Sequence, residues 1–181
     1  MLLVVDNISS YFNDLLASLK KIDAEHEVRR YDNLDSFDCD GIILSGRMNS
    51  TKSMNVANMR LVRSAYENDK PLLGICYGAE IIALTFNGSL RKMDERVIGE
   101  RSVNIHKNNA LTEMKRLEVF ESHGYYISRL PKGFESVASS DECEHEIVMH
   151  YKKSIFGTQF HPEVSKDGLE ILSNFVRLTK R

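Results

Sequence analysis

At 181 residues, 42% apolar and 28% charged, the chain has the size and balance of one globular domain with a substantial core. A formal net charge of −2, with lysines and arginines spread along the chain, argues against a nucleic-acid surface. No window approaches the ~20 apolar residues of a membrane span, and three cysteines without a CxxC pair support neither a disulfide framework nor a zinc knuckle, so a reducing, cytoplasmic setting with no bound metal or cofactor is expected.

The apolar run at 2–5 (LLVV) ends at Asp6 and predicts a strand buried on both faces. Residues 9–22 then place Phe12, Leu15, Leu16 and Leu19 at helical spacing, with Ser9 or Ser10 available as N-cap. A polar run at 25–31 (EHEVRRY) reads as a peripheral strand, and 41–46 (GIILSG) as a buried strand ending in a turn. Residues 55–68 form an amphipathic helical pattern, 71–75 (PLLGI) a third buried strand, and 77–86 a helix that Asn87-Gly88 stops. Strands and helices alternating over short connections indicate a parallel sheet covered on both faces. Beyond residue 88 the runs RSVNIHK, LEVFES, FESVASS, EIVMHY and SIFGTQF are short and strand-like, and 168–181 closes the chain as a helix. The expected fold is α/β: an open, mostly parallel sheet flanked by helices, with additional antiparallel strands in the second half. No Pro/Gly/Ser-rich linker divides it, so residues 1–181 are read as one domain.

Ligands in such sheets bind beyond the carboxyl ends of the strands. That directs attention to Asp6, the turn SGRM (45–48) and Cys76. In GICYG, glycines two residues either side of Cys76 permit a crowded strand-to-helix turn, the thiol version of a nucleophile elbow. There the sulfur lies near a helix N-terminus, and the N–H of Tyr77 can face an oxyanion. A buried structural cysteine explains the same five residues equally well. Cys39 and Cys143 lack the glycine frame and read as packing residues. A cysteine nucleophile also needs a base held by a third group. His26, His106, His145 and His150 sit in polar contexts and read as surface or edge residues; His123 lies in ESHGYY, and His161 follows a strand in FHPE. Pro162 disfavours helix at His161, and in an extended segment Glu163 would share its face and hold the ring.

GICYG together with FGTQFHPEV resembles the class I, triad-type glutamine amidotransferases. The likeness runs from VVDN through GIILSG, PLLGICYGA and ESHGYYI to the closing helix. It implies a flavodoxin-like sheet and thioester chemistry on glutamine, with Cys76 as nucleophile, His161 as base and acid, and Glu163 as its orienter. It further implies an oxyanion hole from the backbone N–H groups of Tyr77 and Arg47, and substrate contacts from Gly46, Glu80, Ser122, His123 and Gly124. The chain departs from the family at two points. Arg47 and Met48 replace the usual Gly-Pro of the turn, which puts in question how easily that peptide reorients, and a carboxylate, Glu80, stands where glutamine is usual. Glu80 suits an α-ammonium group but opposes thiolate formation. Among amidotransferases the chain most resembles the stand-alone subunit of two-chain GMP synthases of the archaeal type. That implies delivery of ammonia to a separate ATP-using synthase chain, with no nucleic-acid or membrane partner. Anthranilate and aminodeoxychorismate synthase subunits, and a catalytically impaired regulatory module on the same fold, remain as alternatives.

Overall fold

The computed structural model describes residues 1–34 and 38–180. Its first half alternates as expected: β1 (Leu2–Asp6), α1 (Phe12–Lys21), β2 (His26–Arg30), β3 (Gly41–Leu44), α2 (Lys52–Glu67), β4 (Leu72–Ile75) and α3 (Tyr77–Thr85). The second half holds β5 (Ser89–Ile105), β6 (Arg116–Arg129), β7 (Phe134–Ser139), β8 (Ile147–His150), β9 (Ile155–Thr158), a 3₁₀ turn (Pro162–Val164) and α4 (Gly168–Leu178). Arg181, the end of the expected closing helix, lies outside the described residues.

All the described strands join one sheet in the order β2-β1-β3-β4-β9-β8-β7-β5-β6. The members from β2 to β9 are parallel and those from β9 to β6 antiparallel. Successive side chains on a strand point to opposite faces, and the parallel strands bury both. Leu2, Val4, Ile43, Leu73 and Ile75 meet Leu15 and Leu19 of α1 and Ile171, Leu172 and Phe175 of α4. Leu3, Val5, Ile42, Leu44 and Leu72 meet α2 and α3 on the other face. Each fully buried aliphatic or aromatic side chain contributes roughly 1.5–3 kcal/mol, so these two layers fix the strand ends that carry the chemistry.

Three local expectations need correction. Neither Ser9 nor Ser10 caps α1: its N-cap is Tyr11, and the Ser9 hydroxyl accepts the Tyr11 N–H at 3.2 Å, tightening the turn before the helix. His145, in the loop before β8, and His150, at its end, are buried rather than surface residues. The short strands foreseen at 101–107 and 117–122 are the far halves of a long β5–β6 ribbon. Within it the register jumps from Lys92↔Tyr125 to Val97↔His123, so residues 93–96 bulge opposite Gly124 alone. Such bulges bend a strand and re-aim its side chains.

Candidate active site

Cys76 sits at the corner between β4 and α3 with φ 50° and ψ −100°, a conformation rare for a residue carrying Cβ. The corner closes only because both flanking glycines are bare. A Cβ on Gly74 would lie 2.4 Å from the Gly78 carbonyl carbon, and one on Gly78 would lie 2.7 Å from the Leu44 oxygen. The Cys76 N–H donates to the Thr158 carbonyl at 2.7 Å, tying the corner to the end of β9. Tyr77 N–H, in the first turn of α3, lacks an intrahelical acceptor, as the first-turn donors of any helix do.

His161 follows β9 and reaches the same corner. Its Nδ1 lies 2.9 Å from Glu163 Oε1, with both side chains buried. An extended His-Pro-Glu segment was expected from the sequence. Pro162 instead starts a 3₁₀ turn, and the turn returns Glu163 to the imidazole. The segment is pinned to β6: His161 N–H donates to the Phe120 carbonyl at 2.9 Å, Ser165 Oγ accepts from Phe120 N–H at 2.8 Å, and Asp167 accepts from Glu118 N–H at 2.7 Å. Tyr11 packs edge-on against the ring at 4.7 Å. Burial pushes the Cys76 thiol up, opposed by the His161 charge and a hydrogen bond to its ring. Burial also opposes protonation of His161, but Cys76 and Glu163 together outweigh it and leave the imidazole well above its ordinary value. The two groups favour each other's charged forms, the condition for a thiolate–imidazolium pair.

The SGRM turn lies beside them. Asn7, Ser45 and Asn58 form a buried network under it, with Asn7 N–H donating to Ser45 Oγ at 3.0 Å and Asn58 Nδ2 to Asn7 Oδ1 at 2.7 Å. Gly46 is required for space rather than conformation, since a Cβ there would lie 2.8 Å from His161 Cε1. Arg47 is not among the residues with positive φ, so its side chain costs the turn no left-handed strain. Its guanidinium lies over the Tyr77 ring at 4.6 Å and reaches Glu80 Oε2 at 3.4 Å. Burial raises the Glu80 carboxyl; Arg47 and then His123 pull it back down.

A pocket of about 180 Å³ opens onto the thiol, lined by Arg47, Glu80, Ser122, His123 and Gly124. Ser122, His123 and Gly124 belong to β6, and the Ser122 carbonyl lies 4.0 Å from Cys76 Sγ. A larger cavity, about 780 Å³, lies against α2 beside Cys39, but no histidine lines it. Chemistry therefore favours the smaller one.

Residues 3–178 match the family model described as glutamine amidotransferase class-I. The chain belongs to this family. The amidotransferase is 32% identical over 185 residues to a GMP synthase [glutamine-hydrolyzing] of Vibrio vulnificus, covering 97% of this chain and 35% of the relative. A Pectobacterium carotovorum GMP synthase is 31% identical over 192 residues, with 36% of it covered. The chain thus spans about a third of the length of these relatives. Among solved structures, a protein from Thermoplasma acidophilum provisionally named as a GMP synthase subunit superposes with TM-score 0.87 and 28% identity, over 99% of this chain and 93% of that one. A Thermotoga maritima glutamine amidotransferase, at 18% identity and TM-score 0.76, shares the fold.

The amidotransferase also gathers residues to which the sequence reading gave no role. Gln159 Nε2 lies 3.9 Å from Cys76 Sγ, a donor toward the sulfur. Arg96, from the β5 bulge, enters the pocket and donates to Ser122 Oγ at 3.0 Å. Behind the pocket Glu121 and Glu146 are both buried, and their carboxyls face one another. Burial raises both above the usual carboxylate range, and for Glu146 the charge of Glu121 adds to it. His123 is fixed from both ends. Its Nδ1 donates to the Tyr125 carbonyl at 2.8 Å, which leaves Nε2 facing Glu121 Oε2 at 3.1 Å. Burial lowers its basicity and favours the neutral ring.

Proposed function

We propose that residues 1–181 act as one glutaminase domain that hydrolyses L-glutamine to glutamate and ammonia through a thioester on Cys76. The observation that carries this reading is the strained thiol at the β4–α3 corner meeting the buried His161–Glu163 pair. Cys76 Sγ attacks the δ-amide carbon, and the C=O electron pair moves onto oxygen. The N–H groups of Tyr77 and Arg47 hold that oxyanion. Collapse expels ammonia, which takes its proton from the His161 imidazolium. Water then attacks the thioester, giving its proton to His161, and a second collapse releases glutamate and restores the thiol. Glu163 orients the ring throughout. Gly46, Ser122, His123 and Gly124 shape the substrate pocket.

Ammonia set free in neutral water is protonated and lost as a nucleophile, so the product is passed directly to a synthase. We assign that role to a separate ATP-using chain of the GMP synthase kind, converting XMP to GMP. The GMP synthase relatives and the structural neighbour's name support this choice over other synthases. Glutamate and ammonia release, measured with the chain alone and with the candidate synthase, tests the reading. A glutamine-analogue electrophile should add one adduct at Cys76. No turnover in either condition, with no adduct, would leave only the alternative of a non-catalytic module.

Glu80 acts in two directions in this scheme. It offers a carboxylate to the substrate's α-ammonium, and its charge raises the Cys76 thiol after burial has done so. Glu80→Gln should therefore raise KM for glutamine about 3- to 10-fold while speeding alkylation of Cys76 by iodoacetamide at neutral pH about 2- to 5-fold. Paired steady-state and alkylation measurements check it; slower alkylation together with an unchanged KM would show that Glu80 does neither.

A further inference from the structure

The strand end at Asp6 takes no part in the chemistry described above, yet residues 6–8 leave β1 in a strained conformation. Ile8 has φ 60°, in the left-handed region that a β-branched side chain resists. The Asp6 carboxylate holds it there, accepting the Ile8 N–H at 2.7 Å. What the conformation gains is a grip on the SGRM turn. The Ile8 carbonyl accepts the Met48 N–H at 3.1 Å, and Asn7, fully buried, reaches Ser45 from below.

Under the turn each hydrogen-bond direction follows from the one before it. The Met54 carbonyl can only accept, so Asn58 turns its Nδ2 to that oxygen at 2.9 Å and to Asn7 Oδ1 at 2.7 Å. Asn7 then has its Nδ2 toward the Ser45 carbonyl at 3.2 Å, and its backbone N–H donates to Ser45 Oγ at 3.0 Å. The Ser45 hydroxyl in turn gives its own proton to the Gly46 carbonyl at 3.0 Å. Asn7, Ser45 and Asn58 are all fully buried, where such a chain of bonds is strong and costly to break.

The Gly46 carbonyl belongs to the same peptide as the Arg47 N–H, and in a trans peptide the two point in opposite directions. Holding the carbonyl to Ser45 therefore turns the Arg47 N–H away from the network. Among the described residues nothing accepts that N–H, and Arg47 and Met48, not Ser45 or Asn7, line the pocket beside Cys76. Resting on the glutaminase reading of the site, we propose that the Asn58–Asn7–Ser45 relay, clamped by the strained Ile8, positions the oxyanion hole. It holds the Gly46–Arg47 peptide with its N–H already presented to the oxygen that will become negative. The orientation is imposed from below by buried side chains, so the turn needs no residue free to adopt positive φ at position 47. That is how an arginine there is compatible with the donor.

The test is Ser45→Ala, which keeps every backbone N–H and the Cβ and removes only the hydroxyl, assayed under whichever condition gives turnover. kcat for glutamine should fall about 10- to 100-fold with KM within about 3-fold, short of the roughly 10²- to 10³-fold loss of a whole oxyanion donor. Alkylation of Cys76 by iodoacetamide displaces iodide without forming an oxyanion, so its rate should stay within about 3-fold of the wild-type value. Asn58→Ala, at the far end of the relay, should lower kcat about 3- to 10-fold, and the double variant should be no slower than Ser45→Ala alone, because both break one chain. An unchanged kcat in Ser45→Ala, losses that multiply in the double variant, or alkylation slowing in step with kcat would each overturn the proposal while leaving the glutaminase reading intact. A wild-type protein that gives neither turnover nor a Cys76 adduct would overturn both.

Discussion

Replacing Cys76 with alanine is expected to reduce ammonia release from glutamine by at least about 10³-fold while leaving the fold and the partner's use of added ammonium unchanged. The thiol is the one nucleophile in the pocket that has a histidine base beside it, and neither Cys39 nor Cys143 lines that pocket. The loss should be catalytic rather than structural. Alanine retains the Cβ, so the strain at φ 50° is unchanged, and removing one buried sulfur costs about 1 kcal/mol of packing. Cys76→Ser separates nucleophilicity from shape: a hydroxyl fills the site but ionises far less readily, so it should be similarly inactive. Steady-state assays with glutamine and with ammonium, run on the complex, give the decisive contrast. If both activities fall together, the residue is holding the corner rather than performing the chemistry.

The parallel half of this sheet was legible because two-sided burial writes itself as short apolar runs, and β1, β3 and β4 are such runs. The corner was legible for a related reason: glycines at positions 74 and 78 are needed where backbone meets backbone. By contrast, the first part of β5 is largely polar and half exposed, so no periodic signal announces that part. Its bulge, and with it the placement of Arg96, is a property of pairing with β6 that no local pattern encodes. One missed signal was readable. Leu117, Val119 and Glu121 occupy alternate positions, so period two places Glu121 in the inward row, where a carboxylate must find a proton or a partner. The Arg47–Glu80 pair, at 3.4 Å, shows how this chain accommodates a carboxylate so close to the thiol. A buried carboxylate is costly alone, and the substituted turn supplies its counter-charge.

The other large effect lies at Glu163. Glu163→Gln preserves volume in a buried site but removes the charge 2.9 Å from His161 Nδ1. It also allows the wrong tautomer, because an amide NH₂ can donate to Nδ1 and leave the proton on Nε2, where the ring can no longer accept from the thiol. A fall in kcat on the order of 10²- to 10⁴-fold is expected, with KM little changed. The pH behaviour fixes the cause. His161 is held protonated above its ordinary range against the burial that opposes this, partly by Glu163, and the imidazolium in turn favours the Cys76 thiolate. Without the carboxylate, His161 should lose its proton at lower pH while the thiol ionises at higher pH, so the window in which both are charged narrows from each side. Alkylation of Cys76 by iodoacetamide should therefore begin at higher pH in Glu163→Gln than in the wild-type protein. A variant with an unshifted alkylation profile and kcat within about 3-fold would mean that the loop hydrogen bonds to Phe120 and Ser165 position His161 without help from Glu163.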